Sequence, residues 1–380
     1  MPLLDLPDEI LLLIIESLAT AKDVLSMLLT ASRIYAIQQM GPLYNHDIKC
    51  SGSSLSWYSK KGYISTIETM LQRGANIDCT DEDDCTPLIC AASNGHEDVV
   101  RLLLEKGANL ENEDDMAFTA LIWAAKNGHE GVVKQLLGKG AAVNRMDIYD
   151  CISLTYAAME GHEGVTRLLL EKGANPEYGD TKGYTPLIWA AKKGHEGIFR
   201  LLVEKGANIE HGDDSGCTPL AYASSGGHEG MVRLLLENGA NPGHGDPIDR
   251  NIDCTPLLIA TIEGYEHVAK LLLDNGADIE CKDVEDCTPL IWATIQGHKG
   301  LVRLLLERGA DMNCEDEDSN TPLIHAAKNG HKDVVKLLLE MGPPDLERKD
   351  WNRMTALACA DANEHQDVVS LLLEYGARQE

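Results

Sequence analysis

Basic residues are scarce in this chain of 380 residues. Lys and Arg number 33 against 61 Asp and Glu, which gives a formal net charge of −28. Binding to nucleic acid or to an anionic membrane surface requires clustered cations, and the sequence has no basic run. The composition therefore predicts that neither nucleic acid nor a membrane is a partner.

Aromatic residues and long apolar runs are also few. Aromatics make up 5% of the chain, with only two Phe, so a core would consist mainly of Leu, Ala and Val. The apolar run at 11–15 is flanked by Asp8, Glu9 and Glu16. It is too short to span a bilayer, and no basic region precedes it as in a signal peptide. We therefore expect the protein in the cytoplasm or the nucleus.

Eleven cysteines are present, but no two have the C-x-x-C spacing of a zinc or redox motif. Five of them stand just before the same kind of triplet, which marks a position in a repeat: Cys85, Cys151, Cys217, Cys254 and Cys287. This pattern predicts free thiols in a reducing compartment, in preference to disulfides or metal ligands.

Catalytic motifs are missing as well. The sequence has no G-x-S-x-G, no P-loop and no G-x-G-x-x-G after a strand. Histidine recurs at one repeat position, as His96, His129, His162, His195, His228, His298, His331 and His365. His325 stands at a different position of its repeat. None forms H-E-x-x-H or a close pair. We expect the recurrent imidazoles to bond to the loop of an adjacent repeat, and we predict a protein that is not an enzyme and needs no cofactor or metal.

The chain does contain a repeat of about 33 residues. Thr-Pro-Leu stands at 86–88, 185–187, 218–220, 255–257, 288–290 and 321–323, with relaxed forms at 119–121, 152–154 and 355–357. Counting back 33 residues from Thr86 reaches Ser53. The sequence therefore predicts ten units, which start near 53, 86, 119, 152, 185, 218, 255, 288, 321 and 355.

Each repeat position has a physical role. Thr can cap the first helix through its hydroxyl, and Pro fits the first helical turn. A Gly such as Gly95 then ends that helix in the left-handed conformation. The next helix is apolar over most of its surface, as at 99–104, and a second Gly closes it. An acidic turn leads to the next triplet, so the fold class is all-α, built from helix-turn-helix units joined by short hairpin tips.

The pattern resembles the ankyrin repeat, whose period and T-P-L-H-x-A signature it shares. The resemblance covers about 51–380. Its His after Leu is replaced here, for example by Ile89 and Ile122. The resemblance implies a solenoid that binds other proteins through its surface, with the target set by surface residues.

Residues 1–45 lie outside the repeat phase, and 46–52 are predicted to be a linker before the array at 53–380. The opening L-P-D-E-I-L resembles an F-box, and its combination with ankyrin repeats resembles fungal F-box and ankyrin proteins. That likeness implies binding to the Skp1-like adaptor of an SCF-type ubiquitin ligase. The adaptor-facing residues would be Leu6, Pro7, Ile10, Leu11, Ile14 and Leu18. The alternative is a non-catalytic ankyrin scaffold whose N-terminal helices only cap the solenoid.

One column of the repeat carries four of the five Trp: the residue two positions after the triplet's Leu. It is interpreted either as an aromatic ladder between repeats or as a stripe that grips a partner. Three units also place an apolar residue where others are polar near the end of the first helix. The candidate partner-binding residues are Trp123, Tyr156, Met159, Trp189, Tyr222, Ile262, Trp292 and Ile295.

The hairpin tips are acidic, as at 81–84 and 315–318. Stacked tips would form an acidic ridge, including Asp114 and Asp213, which either keeps the array soluble or steers a basic protein partner. The tip at 245–251 carries four extra residues, which chain drift explains as well as recognition does.

Overall fold

The computed structural model describes residues 53–243, 255–342 and 344–378. Within these ranges the chain forms twenty α-helices, in ten pairs, and no β-strand, with a single isolated bridge between Glu113 and Thr119. The predicted all-α array of ten helix pairs is confirmed. The F-box-like residues Leu6 to Leu18, the linker and most of the lengthened tip lie outside the described residues.

The chain divides into two compact units, one ending at Thr181 and the other beginning at Lys182. The described helices of the first unit are α1 Ser53–Lys61, α2 Ile64–Gln72, α3 Pro87–Ser93, α4 Glu97–Glu105, α5 Ala120–Lys126, α6 Glu130–Gly138, α7 Ser153–Glu160 and α8 Glu163–Glu171. Odd-numbered helices pack against odd-numbered helices of the adjacent repeat, and even against even. Each pair therefore buries its apolar faces against its neighbours, as in a solenoid.

The second unit repeats this arrangement. Its described helices are α9 Pro186–Lys193, α10 Glu196–Glu204, α11 Pro219–Ser225, α12 Glu229–Glu237, α13 Pro256–Ile262, α14 Glu266–Asp274, α15 Pro289–Ile295, α16 Lys299–Glu307, α17 Pro322–Lys328, α18 Lys332–Met341, α19 Ala356–Ala362 and α20 Gln366–Glu374. Small residues on the first helices, such as Ala190 and Ala191, are fully buried. Their size lets neighbouring helices approach closely.

The first helix of most repeats begins as predicted. The Thr hydroxyl accepts a hydrogen bond from the backbone N–H three residues later, at Thr86, Thr119, Thr185, Thr218, Thr288, Thr321 and Thr355. This bond satisfies a donor that has no partner inside the helix. At Ile152, which has no hydroxyl, the side-chain cap is missing.

Within each unit, the recurrent histidines bond to the repeat before their own. In the first unit, His129 Nε2 lies 3.1 Å from the carbonyl oxygen of Ser93, and His162 Nε2 lies 3.0 Å from that of Lys126. In the second unit, His331 Nε2 lies 3.0 Å from the carbonyl oxygen of Ile295. A carbonyl can only accept, so each ring donates through Nε2. The predicted bond to an adjacent repeat is confirmed, with the end of its first helix as acceptor.

The hairpin tips bond to one another through the backbone. In the first unit, Ile148 N–H donates to the carbonyl of Met116 at 3.4 Å, and Thr181 N–H to that of Tyr149 at 3.0 Å. In the second unit, Glu317 N–H donates to the carbonyl of Glu285 at 3.0 Å. These bonds set each tip beside the next within a unit.

Candidate functional site

The side chains of the aromatic column bond to the hairpin tip of their own repeat. Trp123 Nε1 donates to the carboxylate of Asp114 at 2.7 Å, and the Tyr156 hydroxyl donates to that of Asp147 at 2.6 Å. In the second unit, Trp292 Nε1 donates to Asp283 at 2.7 Å. Each donor stands nine residues after its acceptor. The column is therefore part of the framework that holds the tips.

The same aspartates organise the tip backbone through their other oxygen. Asp114 Oδ1 accepts the N–H groups of Met116 at 3.0 Å and Phe118 at 2.8 Å. Asp147 Oδ1 accepts those of Tyr149 and Cys151 at 2.8 and 2.9 Å. One carboxylate thus fixes a tight turn and receives the column side chain, and such charge-assisted bonds are the stronger kind.

Sequence reasoning treated the column and the acidic tips separately and missed this pairing. The signal was present in the sequence, because an Asp stands nine residues before a column residue that can donate. These pairs are Asp81 and Cys90, Asp114 and Trp123, Asp147 and Tyr156, Asp180 and Trp189, Asp213 and Tyr222, Asp283 and Trp292, Asp316 and His325, and Asp350 and Cys359. His325, which stands in the same column as these Trp and Tyr residues, belongs to this set, with Nε2 2.7 Å from Asp316 Oδ2.

Some tip carboxylates are buried and others are exposed, which corrects the predicted acidic ridge. Asp114 and Asp213 are buried, because they accept hydrogen bonds from their own tips. The exposed carboxylates are Glu82, Asp83, Asp84, Asp115, Asp214, Glu285, Asp286, Glu317 and Asp318. Asp114 and Asp213 are therefore not part of a solvent-facing acidic surface.

Two lysines lie among three aromatic rings each. In the first unit, Lys126 Nζ is 5.2, 5.3 and 5.2 Å from the ring centroids of Phe118, Trp123 and Tyr156. This distance is typical of a cation–π interaction. The rings are also in contact, with 5.1 Å between the centroids of Phe118 and each of the other two.

The second unit has the same arrangement around Lys192. Its Nζ lies 4.9, 5.3 and 5.1 Å from the ring centroids of Tyr184, Trp189 and Tyr222. We call each lysine with its three rings an aromatic cage. Each cage includes an aromatic residue that directly precedes the triplet, Phe118 or Tyr184, where most other repeats have cysteine. In each of the two clusters, two column residues therefore contact a lysine of their own chain.

An open groove of about 620 Å³ lies on the first-helix side of the second unit. Its lining includes Ala221, Tyr222, Leu258, Ile259, Ile262, Val284 and Trp292. We call these residues the second-unit groove. It joins three of the predicted partner-binding residues: Tyr222, Ile262 and Trp292.

The chain also matches a family model that is described as ankyrin repeats and that comprises three repeat copies. The model matches at four places, residues 55–147, 154–246, 244–316 and 301–380. These matches span most of the chain. It belongs to the ankyrin-repeat family. The ankyrin fold is in general a non-catalytic interaction scaffold, so the array is a protein–protein interaction module.

A solved structure agrees with this assignment. The human ASB11 ankyrin repeat domain is 27% identical, with a TM-score of 0.53, and the match covers 60% of this chain and 99% of that domain. Comparison with the curated proteins finds no significant match.

The predicted partner-binding residues differ in how the ankyrin array places them. Tyr156 is buried, whereas Trp123 and Met159 in the first unit are half-buried. The second-unit residues are all half-buried: Trp189, Tyr222, Ile262, Trp292 and Ile295. The structure gathers Trp123 and Tyr156 around Lys126, and Trp189 and Tyr222 around Lys192. Met159 and Ile295 belong to neither cage nor to the lining of the groove.

The cysteines correct one expectation. Cys217 is disulfide-bonded. The prediction of free thiols is therefore wrong at this position. Cys151 and Cys287 are thiols, and burial raises the pKa of each to about 12. Such thiols are protonated at neutral pH and are poor nucleophiles.

Two features are absent from the described residues. No group of three or more His, Cys, Asp or Glu is arranged to hold a metal ion there. No helix in that part of the chain is long and apolar enough to cross a membrane.

Protonation of His325 at acid pH should lower the free energy of unfolding of the array. Burial of the ring lowers its pKa below 6.5, and the opposing effect of Asp316 is smaller. The unfolded chain then binds a proton more readily than the folded chain, so stability is full above pH 6.5 and falls as the pH drops towards the folded-state pKa. His325→Trp, which carries the residue found at Trp123 and Trp292, should lose less stability between pH 7.5 and 5.5. Urea unfolding at both pH values measures this, and an equal loss in both proteins would contradict it.

Proposed function

We propose that this chain is a substrate-recognition subunit of an SCF-type ubiquitin ligase. The F-box-like segment at 1–45 would bind a Skp1-like adaptor, and the ankyrin array would bind the target protein. The observation that carries the proposal is the two-part layout, with L-P-D-E-I-L at 6–11 standing ahead of an ankyrin array that begins at Ser53. A chain with this layout can connect two proteins, one at each part, and would do so in the cytoplasm or the nucleus.

The surface of the array supports target binding. Half-buried Trp123, Tyr222, Trp292 and Ile262 lie along the first helices. Aromatic side chains at such positions are common anchors of protein interfaces. The exposed tip carboxylates, in a chain of net charge −28, favour a basic target, since complementary charge speeds association.

Deleting residues 1–45 should abolish adaptor binding and leave the array folded. The reason is that each ankyrin repeat packs only on its neighbours, so removal of a docking segment does not disturb the other units. A pull-down with a purified Skp1-like adaptor measures the first effect, and the urea midpoint of residues 46–380 measures the second.

The alternative function, a plain ankyrin scaffold with an N-terminal cap, predicts a different outcome. Removing a cap exposes the apolar end of a solenoid, so the urea midpoint of the shortened chain would fall. The full chain would then bind no adaptor at all. The two readouts together separate the receptor from the scaffold.

A further inference from the structure

The second-unit groove lies where the aromatic column is interrupted. The column residue there is Ile259, which has no polar group to donate to a tip carboxylate. Seven residues after the triplet's Thr, where Lys126, Lys192 and Lys328 stand in other repeats, this repeat has Ile262. This repeat therefore has aliphatic side chains where other repeats have an aromatic ring and a lysine ammonium group. We call Ile259 and Ile262 the apolar floor of the groove.

The floor continues into an exposed apolar wall. Val284, at a hairpin tip, is 59% exposed, and the half-buried ring of Trp292 also lines the groove. Leu258 beneath is 1% exposed, so it completes the core and not the binding surface. Clustered apolar side chains that remain accessible to solvent are a common mark of an interaction site.

The rim at this end of the groove is acidic. Glu263, Asp283 and Glu285 line it. Asp283 already accepts the N–H groups of Glu285 and Cys287 and the indole of Trp292. Glu263 and Glu285 are exposed, so their carboxylates face whatever enters.

The nearby cations do not neutralise this rim. Lys282 Nζ lies 3.6 Å from Asp286, outside the lining. At the other end of the groove, beside Tyr222, Lys192 sits in its aromatic cage. The groove is therefore apolar in the middle, acidic beside Trp292 and cationic beyond Tyr222.

The shape fits a short stretch of extended chain. The lining comes from three consecutive first helices, α11, α13 and α15, and from the tips beside them. Packed helices lie roughly 10 Å apart, so the groove is on the order of 20 Å long. That length accommodates about six extended residues.

We propose that the second-unit groove binds a peptide segment of a partner protein in which an apolar side chain stands close in sequence to Lys or Arg. The apolar side chain rests on Ile259 and Ile262 against Val284, and the cation lies beside Glu263 and Glu285. This assignment rests on the proposed function, of which it specifies the target class. The tip at 244–254 lies outside the described residues, and the groove is defined without it.

The test uses a random library of twelve-residue peptides displayed on phage, selected against the full chain. Enriched peptides should share an aliphatic or aromatic residue close in sequence to Lys or Arg. Fluorescein-labelled copies should bind Ile262→Lys at least tenfold more weakly, because an ammonium replaces the apolar floor. Glu263→Lys combined with Glu285→Lys should have an effect of the same size, and added salt should weaken wild-type binding.

A matched control lies in the first unit. Met159→Lys changes the corresponding position of another repeat, which does not line the groove, and should leave peptide affinity within twofold of wild type. Ile262→Lys places there the residue that four other repeats carry, as Lys60, Lys126, Lys192 and Lys328, so the fold should tolerate it. Circular dichroism and the urea midpoint check this directly.

Several outcomes would overturn the proposal. These are no enrichment, enriched peptides without the basic residue, or equal binding to the wild type and the Ile262→Lys variant. The groove variants should retain adaptor binding, so failure here is distinguishable from failure of the ubiquitin-ligase assignment.

Discussion

Replacing Gly128 with Ala is expected to destabilise the first unit by about 2–4 kcal/mol, from left-handed backbone strain and overpacking together. Gly128 has φ +75° and ends α5. An added Cβ would lie 2.6 Å from His162 Nδ1. That ring cannot move aside without losing its 3.0 Å bond to the carbonyl of Lys126. Both the backbone and the contact between repeats therefore oppose the substitution.

Two neighbouring glycines separate these causes. Gly140 has φ +91° but no atom within 4 Å of an added Cβ, so Gly140→Ala should cost only the backbone strain, about 1–2 kcal/mol. Gly138 is helical, without positive φ and with open space around it. Gly138→Ala should therefore stabilise by about 0.5–1 kcal/mol. Urea midpoints of the three variants measure the order of their stabilities. An equal loss of stability in Gly128→Ala and Gly140→Ala would show that the histidine contact contributes nothing.

Replacing Asp114 with Ala is expected to cost a similar amount, about 2–4 kcal/mol, because three donors lose a charged acceptor. Asp114 is 8% exposed, and it accepts the N–H groups of Met116 and Phe118 and the indole of Trp123. The loss should also release Trp123 from its position beside Lys126. Urea unfolding gives the free energy, and hydrogen exchange at Met116 and Phe118 should accelerate.

Asp115 provides the control for this variant. It is the next residue on the same tip and is also an aspartate, but its side chain is exposed. Its backbone N–H bonds to the carbonyl of Asp83 at 3.5 Å, and Ala keeps that donor. Asp115→Ala should therefore change stability by less than about 0.5 kcal/mol. Equal effects at the two positions would mean that the tip depends on charge alone and not on the buried hydrogen bonds.

Much of the fold could be predicted from the sequence because each position is sampled ten times. A Thr before Pro-Leu caps a helix in one repeat and again in the next, so the physical role of its hydroxyl can be inferred from the repetition. The same holds for the recurrent histidines, whose role as links between repeats followed from position alone. Local chemistry dominates in a solenoid, since each repeat contacts only its neighbours.

The candidate site was harder to predict because it depends on pairs of columns. Trp123 and Asp114 were each noticed, but a helix residue and a turn residue nine positions apart have no fixed distance until the tip is folded. The cage around Lys126 joins residues of two repeats, and the groove arises from one interrupted repeat. Neither is visible in a pattern that averages over units. The disulfide at Cys217 also departs from the pattern that the other repeats follow.

The central claim is that the N-terminal segment docks on an adaptor while the array binds a target. Isothermal titration of a purified Skp1-like adaptor into the full chain tests it most directly, with a Leu6→Arg and Ile10→Arg double variant and Ile262→Lys as the control. The account predicts one-to-one binding by the wild type and by Ile262→Lys, and none by the double variant. Absence of wild-type binding, or equal affinity in the double variant, would contradict it.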